Sequence, residues 1–344
     1  MIPLVTVLLF FLLAAVGQDQ PPLVFSHEIA TDWRQDAHRW MNFVAISFDG
    51  RTAAANGNIL RGKTAAAGLW TFPTGDYLRS IEGDPVAISA DFRYVANETS
   101  VQDLQTGKII FRISQQADIL RNAAFSPSGE NVALVAGGST ARLHRAQIIV
   151  LKTTDGSMTS SFGIRHTLAL AFHPDNQTLA SGHWNNVTLW DVRTGARLAL
   201  LMSPPRRVDP TGYNRDGRYI SGLGFSRDGK MLAAGSDDGE LQIWEMTTRK
   251  LLHSIKIGFG DSSNPVFSPN GKFVAAGTYA DGTVSLVDVS SGTVLSQIQV
   301  SMFGCGSVAF SPDGQFLITP SNGGLLNNGK HEKGGTIRVF RVAQ

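Results

Sequence analysis

A stretch near the N-terminal end has the spacing of a phosphate-binding loop. Residues 57–64, GNILRGKT, fit the pattern GxxxxGK[ST], in which backbone amides and the lysine bind the phosphates of a nucleotide. A working loop of this kind connects a strand to a helix, whose N-terminal amides complete the anion site. Here Thr64 is followed within a few residues by a second apolar strand that ends near Trp70. The sequence therefore predicts a chance match and not a nucleotide site.

The residue types that hold metals or act as nucleophilic thiols are dispersed along the chain. Its 8 histidines form no HExxH or comparably dense ligand spacing. Cys305 is the only cysteine, which excludes an intrachain disulfide and a thiolate metal cluster. We expect it to be a small buried residue rather than a nucleophile. A metal ion held by histidines from distant parts of the chain stays an open alternative.

Two serines lie in patterns that suggest hydrolase chemistry. Ser226 follows Gly-Phe, but the glycine that should end the GxSxG nucleophile motif is missing. Ser181 lies two residues before His183, and the tight turn expected at this point makes local packing a better explanation than catalysis. We therefore predict that the chain is not an enzyme, has no catalytic residues and binds no cofactor.

Composition indicates which elements surround these residues. Glycine accounts for 36 of the 344 residues, and 17% of the residues are charged, which is below the usual quarter. This balance favours many tight turns and short strands over long solvated helices. The 30 basic residues nearly equal the 28 acidic ones, and a net charge of +2 argues against duplex nucleic acid as a partner.

The first 17 residues have the layout of a secretory signal peptide. Residues 1–17 carry no charged side chain, and an almost unbroken apolar run, Leu4–Val16, leads to the small residue Gly17. We expect cleavage near Gln18, export to the periplasm or the extracellular space, and no membrane span in the mature chain. An uncleaved anchor is the alternative, although 17 residues are near the lower limit for spanning a bilayer.

The remaining chain contains seven copies of one unit. Each copy has an apolar strand that ends in Ser or His, a tight turn related to Ser-Pro-Asp-Gly, and a second apolar strand. Proline presets the turn, Asp or Asn caps it, and glycine accepts the positive φ that closes it. The turn-closing residues recur every 37 to 53 positions: Gly50, Phe92, Gly129, Asn176, Gly229, Gly271 and Gly314. Such a period, with several strands per copy, is typical of β-propeller blades.

A second recurring turn follows a third strand. In residues 187–195, VTLWDVRTG, the strand leads into a Thr-Gly turn, and a fourth strand, Arg197–Leu201, comes next. Trp190-Asp191 is the signature dipeptide of the WD-repeat family, and Trp244-Glu245 is a related form. Residues 23–342 resemble this family over nearly their whole length, although the Gly-His dipeptide common in its repeats is essentially missing.

The resemblance implies an all-β, seven-bladed β-propeller in which each copy forms a four-stranded antiparallel blade and residues 18–344 form one domain. A single blade has too little core to be stable, so neighbouring blades must stack and the ring must close. The last copy stops after its third strand, Thr336–Val342, while Leu23–Ile29 is an unassigned apolar segment of suitable length. We predict that this N-terminal strand supplies the missing outer strand of the last blade.

Alternate connections of such blades lie on opposite faces of the ring. The Ser-Pro-Asp-Gly and Thr-Gly turns share the bottom face, and the other two connections of each blade share the top face. The longest connections all belong to the top face, where a regular scaffold usually carries its binding residues: Asn56–Ala67, Gly137–Ala146, Ser203–Tyr219 and Pro320–Gly335. The partner-binding residues that we predict are basic residues of these loops: Arg61, Lys63, Arg142, Arg145, Arg206, Arg207, Lys330 and Lys333.

The short top-face connections carry the opposite charge. Acidic residues concentrate in copies five and six, at Asp237, Asp238, Glu240, Asp261 and Asp281. The top face is therefore nearly neutral as a whole. Ordinary solvated loop charges are the alternative to a polarised docking surface for a protein or a glycan.

The WD-repeat resemblance implies a noncatalytic scaffold, because proteins of this family usually assemble complexes. We expect a monomer that binds a protein or peptide on its top face, without a cofactor or a metal. A propeller enzyme, or a binder of a small ligand or glycan in the central channel, is the first alternative. A component of envelope assembly is a weaker one.

Overall fold

The computed structural model describes most of the chain after residue 22. The described residues are 23–30, 43–56, 66–83, 85–97, 99–113, 122–136, 147–163, 167–204, 219–301, 304–321, 324–325, 331–332 and 335–343. Within these ranges the regular structure is entirely β. No helix in the described part of the chain has the length and apolarity needed to cross a membrane.

The strands follow one another in repeating groups. They are β1 (Leu23–Ala30), β2 (Val44–Ile46), β3 (Thr52–Asn56), β4 (Ala66–Thr71), β5 (Tyr77–Glu82), β6 (Pro85–Ile88), β7 (Tyr94–Asn97), β8 (Ser100–Asp103), β9 (Ile109–Arg112), β10 (Ala123–Phe125), β11 (Asn131–Ala136), β12 (Gln147–Lys152), β13 (Met158–Gly163), β14 (Ala169–Phe172), β15 (Thr178–Gly182), β16 (Asn186–Asp191), β17 (Arg197–Met202), β18 (Ile220–Phe225), β19 (Met231–Ser236), β20 (Glu240–Glu245), β21 (Lys250–Lys256), β22 (Val266–Phe267), β23 (Phe273–Gly277), β24 (Thr283–Asp288), β25 (Val294–Gln299), β26 (Ala309–Phe310), β27 (Phe316–Ser321), β28 (Gly324–Leu325), β29 (His331–Glu332) and β30 (Thr336–Val342).

Seven four-stranded antiparallel sheets form the blades of the ring. Blades 1 to 6 are β2–β5, β6–β9, β10–β13, β14–β17, β18–β21 and β22–β25, and blade 7 is ordered β26, β27, β30, β1. The short strands β28 and β29 form a separate hairpin within the connection between β27 and β30. The predicted fold, a seven-bladed β-propeller, is confirmed.

The N-terminal strand closes the ring as the sequence predicts. Strand β1 pairs antiparallel with β30, with Leu23 opposite Val342 and Ile29 opposite Ile337. Leu23 and Ile29 are buried, so the strand contributes to the core as well as covering the edge of β30. Residues 1–17 lie outside the described residues, and the secretory signal and the domain boundary after it stay predictions.

The first turn of each blade explains the repeated sequence pattern. All seven turn-closing residues have positive φ, including Phe92 at 56° and Asn176 at 60°. In blade 1 the hydroxyl of Ser47 donates to Asp49 Oδ1 at 2.6 Å and accepts the Thr52 N–H at 2.9 Å. The same pair of bonds recurs in blades 2, 5, 6 and 7. The serine and the acidic or amide side chain therefore build the turn together.

The core lies between the blades. Seven clusters of buried apolar side chains occupy the seven blade boundaries. The aromatic residues that recur on third strands, Trp190, Trp244 and Phe340, lie opposite buried leucines of the second strands. They are inter-blade core, as expected, and burying each such leucine contributes about 2 kcal/mol.

The connection that resembles a phosphate-binding loop joins two antiparallel strands. Residues 57–65 lie outside the described residues, but β3 ends at Asn56 and β4 begins at Ala66, two residues after Thr64. The two strands pair antiparallel. A strand thus follows where a nucleotide site needs a helix, which agrees with the prediction of a chance match.

Candidate interaction face

Carboxylates on the bottom face stabilise the chain's own turns. In blade 4, Asp191 Oδ1 accepts both the hydroxyl and the N–H of Thr194 at 2.7 Å. The Thr194 hydroxyl and N–H lower the pKa of the Asp191 carboxyl below its usual value of 3.8. Asp103 and Asp288 make equivalent bonds, and their pKa values are lowered by the same kind of contact. These acidic side chains are engaged within their own turns.

The bottom-face turns also contact one another. Arg227, in the first turn of blade 5, places its guanidinium carbon 5.5 Å from the ring centroid of Phe48, in the first turn of blade 1. Blades 1 and 5 are not neighbours in the ring, so this cation–π contact reaches across the bottom mouth of the central channel. His173 Nε2 lies 3.1 Å from the carbonyl oxygen of Gly229 in the next blade. Side chains of the bottom-face turns thus contact turns of other blades.

Blade 4 contains a buried chain of polar side chains. Trp190 Nε1 donates to Ser181 Oγ at 2.7 Å, and the same oxygen lies 2.7 Å from His183 Nε2. His183 Nδ1 lies 3.3 Å from the hydroxyl of Thr167. Ser181 is completely buried. A substrate in solution therefore has no access to the Ser181–His183 pair, which supports local packing over catalysis.

Blade 5 lacks the serine of this chain. Ala234 occupies the position of Ser181, because Leu232 pairs with Trp244 as Leu179 pairs with Trp190. As a result the buried Nε1 of Trp244 has no hydrogen-bond partner among the described residues. The signature tryptophan is thus kept in both blades, while its hydrogen bond is kept in one.

Cys305 is buried and linked to its neighbours. Its sulfur lies 3.0 Å from the hydroxyl of Thr319, and burial raises the pKa of the thiol to about 12. A thiol with such a pKa is protonated at neutral pH and is a poor nucleophile. The expectation of a small buried residue is confirmed.

Two small cavities of the described residues lie at the bottom face. One, of about 260 Å³, lies beside the first turns of blades 6 and 7, next to Pro269 and Gly314. The other, of about 330 Å³, lies between blades 1 and 2 beside Arg79 and Asp103. Among the described residues, no three His, Cys, Asp or Glu side chains come together as metal ligands would.

The basic residues predicted to bind a partner lie outside the described residues. This holds for all eight: Arg61, Lys63, Arg142, Arg145, Arg206, Arg207, Lys330 and Lys333. The flanking strands show which connections carry them, since β3–β4, β11–β12, β17–β18 and β27–β30 all join at the top face. Their role as a binding set stays a prediction.

The described part of the top face has an exposed aromatic and acidic patch on blades 5 and 6. We call it the upper patch and define it by Lys256, Phe259, Asp261, Tyr279 and Asp281. The side chain of Phe259 is 66% exposed and that of Tyr279 is 44% exposed. The Lys256 ammonium lies 5.0 Å from the centroid of the Phe259 ring.

Hydrogen bonds hold the upper patch in place. Asp281 Oδ1 accepts the hydroxyls of Thr278 and Thr283 at 2.5 and 3.0 Å, and its Oδ2 accepts the Phe259 N–H at 3.1 Å. The Tyr279 N–H donates to the carbonyl oxygen of Asp261 at 2.9 Å. Partial burial raises the pKa of the Asp261 carboxyl above its usual 3.8. The patch is therefore a fixed surface that combines two rings with a partly desolvated carboxylate.

The sequence analysis used charge to select the basic loops and the acidic residues of copies five and six. It did not select the rings of Phe259 and Tyr279. Phe259 and Tyr279 stand among Gly, Asp, Ser and Ala at loop tips, outside the alternation of the neighbouring strands. A large aromatic residue in such a loop is the signal that could have found them, because it has no strand partner to bury it.

Family models match three segments of the chain. The WD domain, G-beta repeat, matches residues 155–191 and 262–288, and the WD40 domain of anaphase-promoting complex subunit 4 matches residues 205–264. The two repeat matches end at Asp191 and Asp288, the turn-capping residues of equivalent third strands. These matches, together with the seven four-stranded blades of the ring, decide the family. The chain is a WD-repeat β-propeller.

Relatives of this WD-repeat propeller match it over part of their length. WD repeat-containing protein VIP3 of Arabidopsis thaliana is 30% identical over 35% of this chain and 38% of its own. Small ribosomal subunit protein RACK1y of Oryza sativa subsp. japonica is 28% identical over 35% of this chain and 31% of its own. A guanine nucleotide-binding protein subunit beta of Oryza sativa subsp. indica is 29% identical over 33% of this chain and 27% of its own. Each alignment thus spans less than half of the relative.

Proposed function

We propose that this WD-repeat propeller is a noncatalytic scaffold that binds a protein or peptide partner through its top face. Family membership supports a protein-interaction scaffold in general. Two similar proteins are, by name, subunits of larger assemblies, the ribosomal protein and the G-protein subunit. One matching family model is named after a subunit of the anaphase-promoting complex. We further propose that the protein is a monomer and binds neither nucleic acid nor a cofactor.

The upper patch is the observation that favours the top face. Its aromatic rings are exposed, although exposing a large apolar side chain forgoes about 2 kcal/mol of burial. The bottom face uses its side chains differently, because its serine and aspartate groups bond within turns and its exposed Phe48 stacks with Arg227. The exposed ring of Tyr279 has no such cation–π contact among the described residues. A large exposed ring without an internal role is typical of interaction sites.

Affinity capture with charge-reversed variants tests the choice of face. The top-face variant changes Arg206, Arg207, Lys330 and Lys333 to Glu. The matched bottom-face variant changes four exposed basic residues of the bottom-face turns to Glu: Arg51, Arg193, Lys230 and Lys272. We expect the partner recovered with the unchanged protein to be lost with the top-face variant and kept with the bottom-face one, at similar melting temperatures. Loss with the bottom-face variant only would contradict the proposal.

Export is a separate part of the proposal. The apolar segment of residues 1–17 supports secretion with cleavage near Gln18. Expression of the full chain followed by N-terminal sequencing of the exported protein tests it. A product that starts near Gln18 is expected, and a product that keeps Met1 and sediments with membranes would show an anchor instead.

A further inference from the structure

We propose that the upper patch binds a basic, extended segment of the partner, an inference that rests on the proposed function. A lysine or arginine side chain of this segment contacts the rings of Phe259 and Tyr279 and the carboxylate of Asp261. The ligand of the top face of blades 5 and 6 is thus a positively charged peptide. An arginine or lysine head group meets the two requirements of such a surface, because it stacks on aromatic rings and pairs with a carboxylate.

The backbone brings the rings and the carboxylate together. Ser262 and Thr278 form an antiparallel bridge, which places Asp261 directly opposite Tyr279. Side chains of opposed residues project from the same side, with Cβ atoms about 5 Å apart. The Phe259 carbonyl oxygen accepts the N–H of Ala280 at 3.0 Å, so Phe259 lies beside the same segment.

The rings are held in position before any partner binds. The ring of Tyr279 rests on Gly304, where an added Cβ would lie 2.9 Å from ring carbons Cδ2 and Cε2. The backbone of Phe259 is fixed through its N–H bond to Asp281, and the ring contacts the Lys256 ammonium. A preorganised site loses little side-chain entropy on binding, which favours affinity for a flexible peptide.

Charge complementarity selects a cation. The segments that carry the upper patch, residues 256–263 and 278–283, hold the carboxylates of Asp261 and Asp281 and one ammonium group, that of Lys256. The Asp281 carboxylate is taken up by hydrogen bonds within the patch. The Asp261 carboxylate accepts no hydrogen bond from the described residues, and its raised pKa reflects hydration lost without an opposite charge in exchange. A bound cation would supply that charge.

Lys256 indicates how such a cation binds. Its ammonium lies 5.0 Å from the centroid of the Phe259 ring and donates to the carbonyl oxygen of Asp238. The protein thus already holds one ammonium group against this ring. A peptide cation would likewise meet a ring and an oxygen acceptor, the exposed ring of Tyr279 and the carboxylate of Asp261.

Fluorescence anisotropy with a defined peptide tests the inference. The probe is a labelled eight-residue peptide of alternating arginine and glycine, and a glutamate–glycine peptide of equal length is its control. Phe259→Leu and Tyr279→Leu remove a ring but keep apolar bulk, and Asp261→Asn removes the charge. Matched variants elsewhere are Tyr77→Leu, on the outer strand of blade 1, and Glu130→Gln, on the bottom face.

We expect the arginine peptide to bind and the glutamate peptide not to bind. Each patch substitution should weaken binding about threefold, and the matched variants should bind as the unchanged protein does. Equal binding by all variants, or no binding of the arginine peptide, would overturn the inference. If capture still depended on the top-face loops in that case, the proposed function would stand without it.

Discussion

The indoles of Trp190 and Trp244 occupy equivalent positions but differ in one hydrogen bond. We predict that Ser181→Ala lowers the free energy of unfolding by about 1–3 kcal/mol, because it leaves Nε1 of the partly buried Trp190 without its acceptor. Ala234→Ser should raise it by about 1 kcal/mol, since it supplies Trp244 with the missing acceptor. Urea denaturation measures both changes.

The exposed Ser161→Ala variant is the control for this pair and should stay within about 0.5 kcal/mol of the unchanged protein. Equal, small effects of Ser181→Ala and Ser161→Ala would show that the hydrogen bond of Trp190 is not a source of stability.

The thiol of Cys305 gives a second prediction at this scale. Because it is buried and its pKa is raised to about 12, it should not react with a disulfide reagent in the native protein at pH 8. The thiol should react fully once the protein is unfolded in guanidinium chloride. Rapid labelling of the native protein would mean that this part of blade 7 opens readily.

At the scale of elements, the first turns of the blades need a positive φ, but their surroundings differ. Gly229 and Gly271 have φ of 72° and 70°, so alanine at either position costs about 1 kcal/mol of backbone strain. A Cβ at Gly229 would also lie 2.4 Å from His173 Nε2, whereas a Cβ at Gly271 would meet nothing within 4 Å. We therefore predict a larger loss of stability for Gly229→Ala than for Gly271→Ala in thermal unfolding. Equal losses would mean that His173 moves aside without cost.

The same turns show how far the sequence predicts local structure. Ser, Asp and Gly at fixed spacing predicted the seven turns, and the positive φ of Phe92 and Asn176 shows that the backbone keeps the turn even where glycine is replaced. The contact of Arg227 with Phe48 was not predicted, because it joins residues far apart in the chain and depends on ring closure. The hydrogen-bonded chain of Ser181 and His183 was likewise foreseen only as local packing.

At the scale of the whole molecule, the turn carboxylates make stability depend on acid pH. The pKa values of seven of them are below the usual 3.8, through hydrogen bonds from hydroxyls and backbone N–H groups of their turns: Asp49, Asp103, Asp155, Asp175, Asp191, Asp228 and Asp288. A carboxyl with a lowered pKa in the folded state stabilises the fold above about pH 4 and loses this contribution as the pH falls through its folded pKa. We predict a falling melting temperature below about pH 4, with a smaller fall for Asp191→Asn. A melting temperature that stays constant to pH 2 would contradict this.

Ring closure and the core were the most predictable features at this scale, because the repeat period and the unpaired segment Leu23–Ile29 are both visible in the sequence. The interaction face was less predictable. Its charges can be counted in the sequence, but the exposure of Phe259 and Tyr279 depends on how two connections of neighbouring blades meet.

The most direct test of a top-face scaffold is hydrogen–deuterium exchange of the propeller with and without the partner recovered by capture. Binding at the top face predicts slower exchange in residues 256–263 and 278–283, and unchanged exchange in the bottom-face turns at residues 268–271 and 311–314. Protection confined to the bottom-face turns would contradict the proposed function.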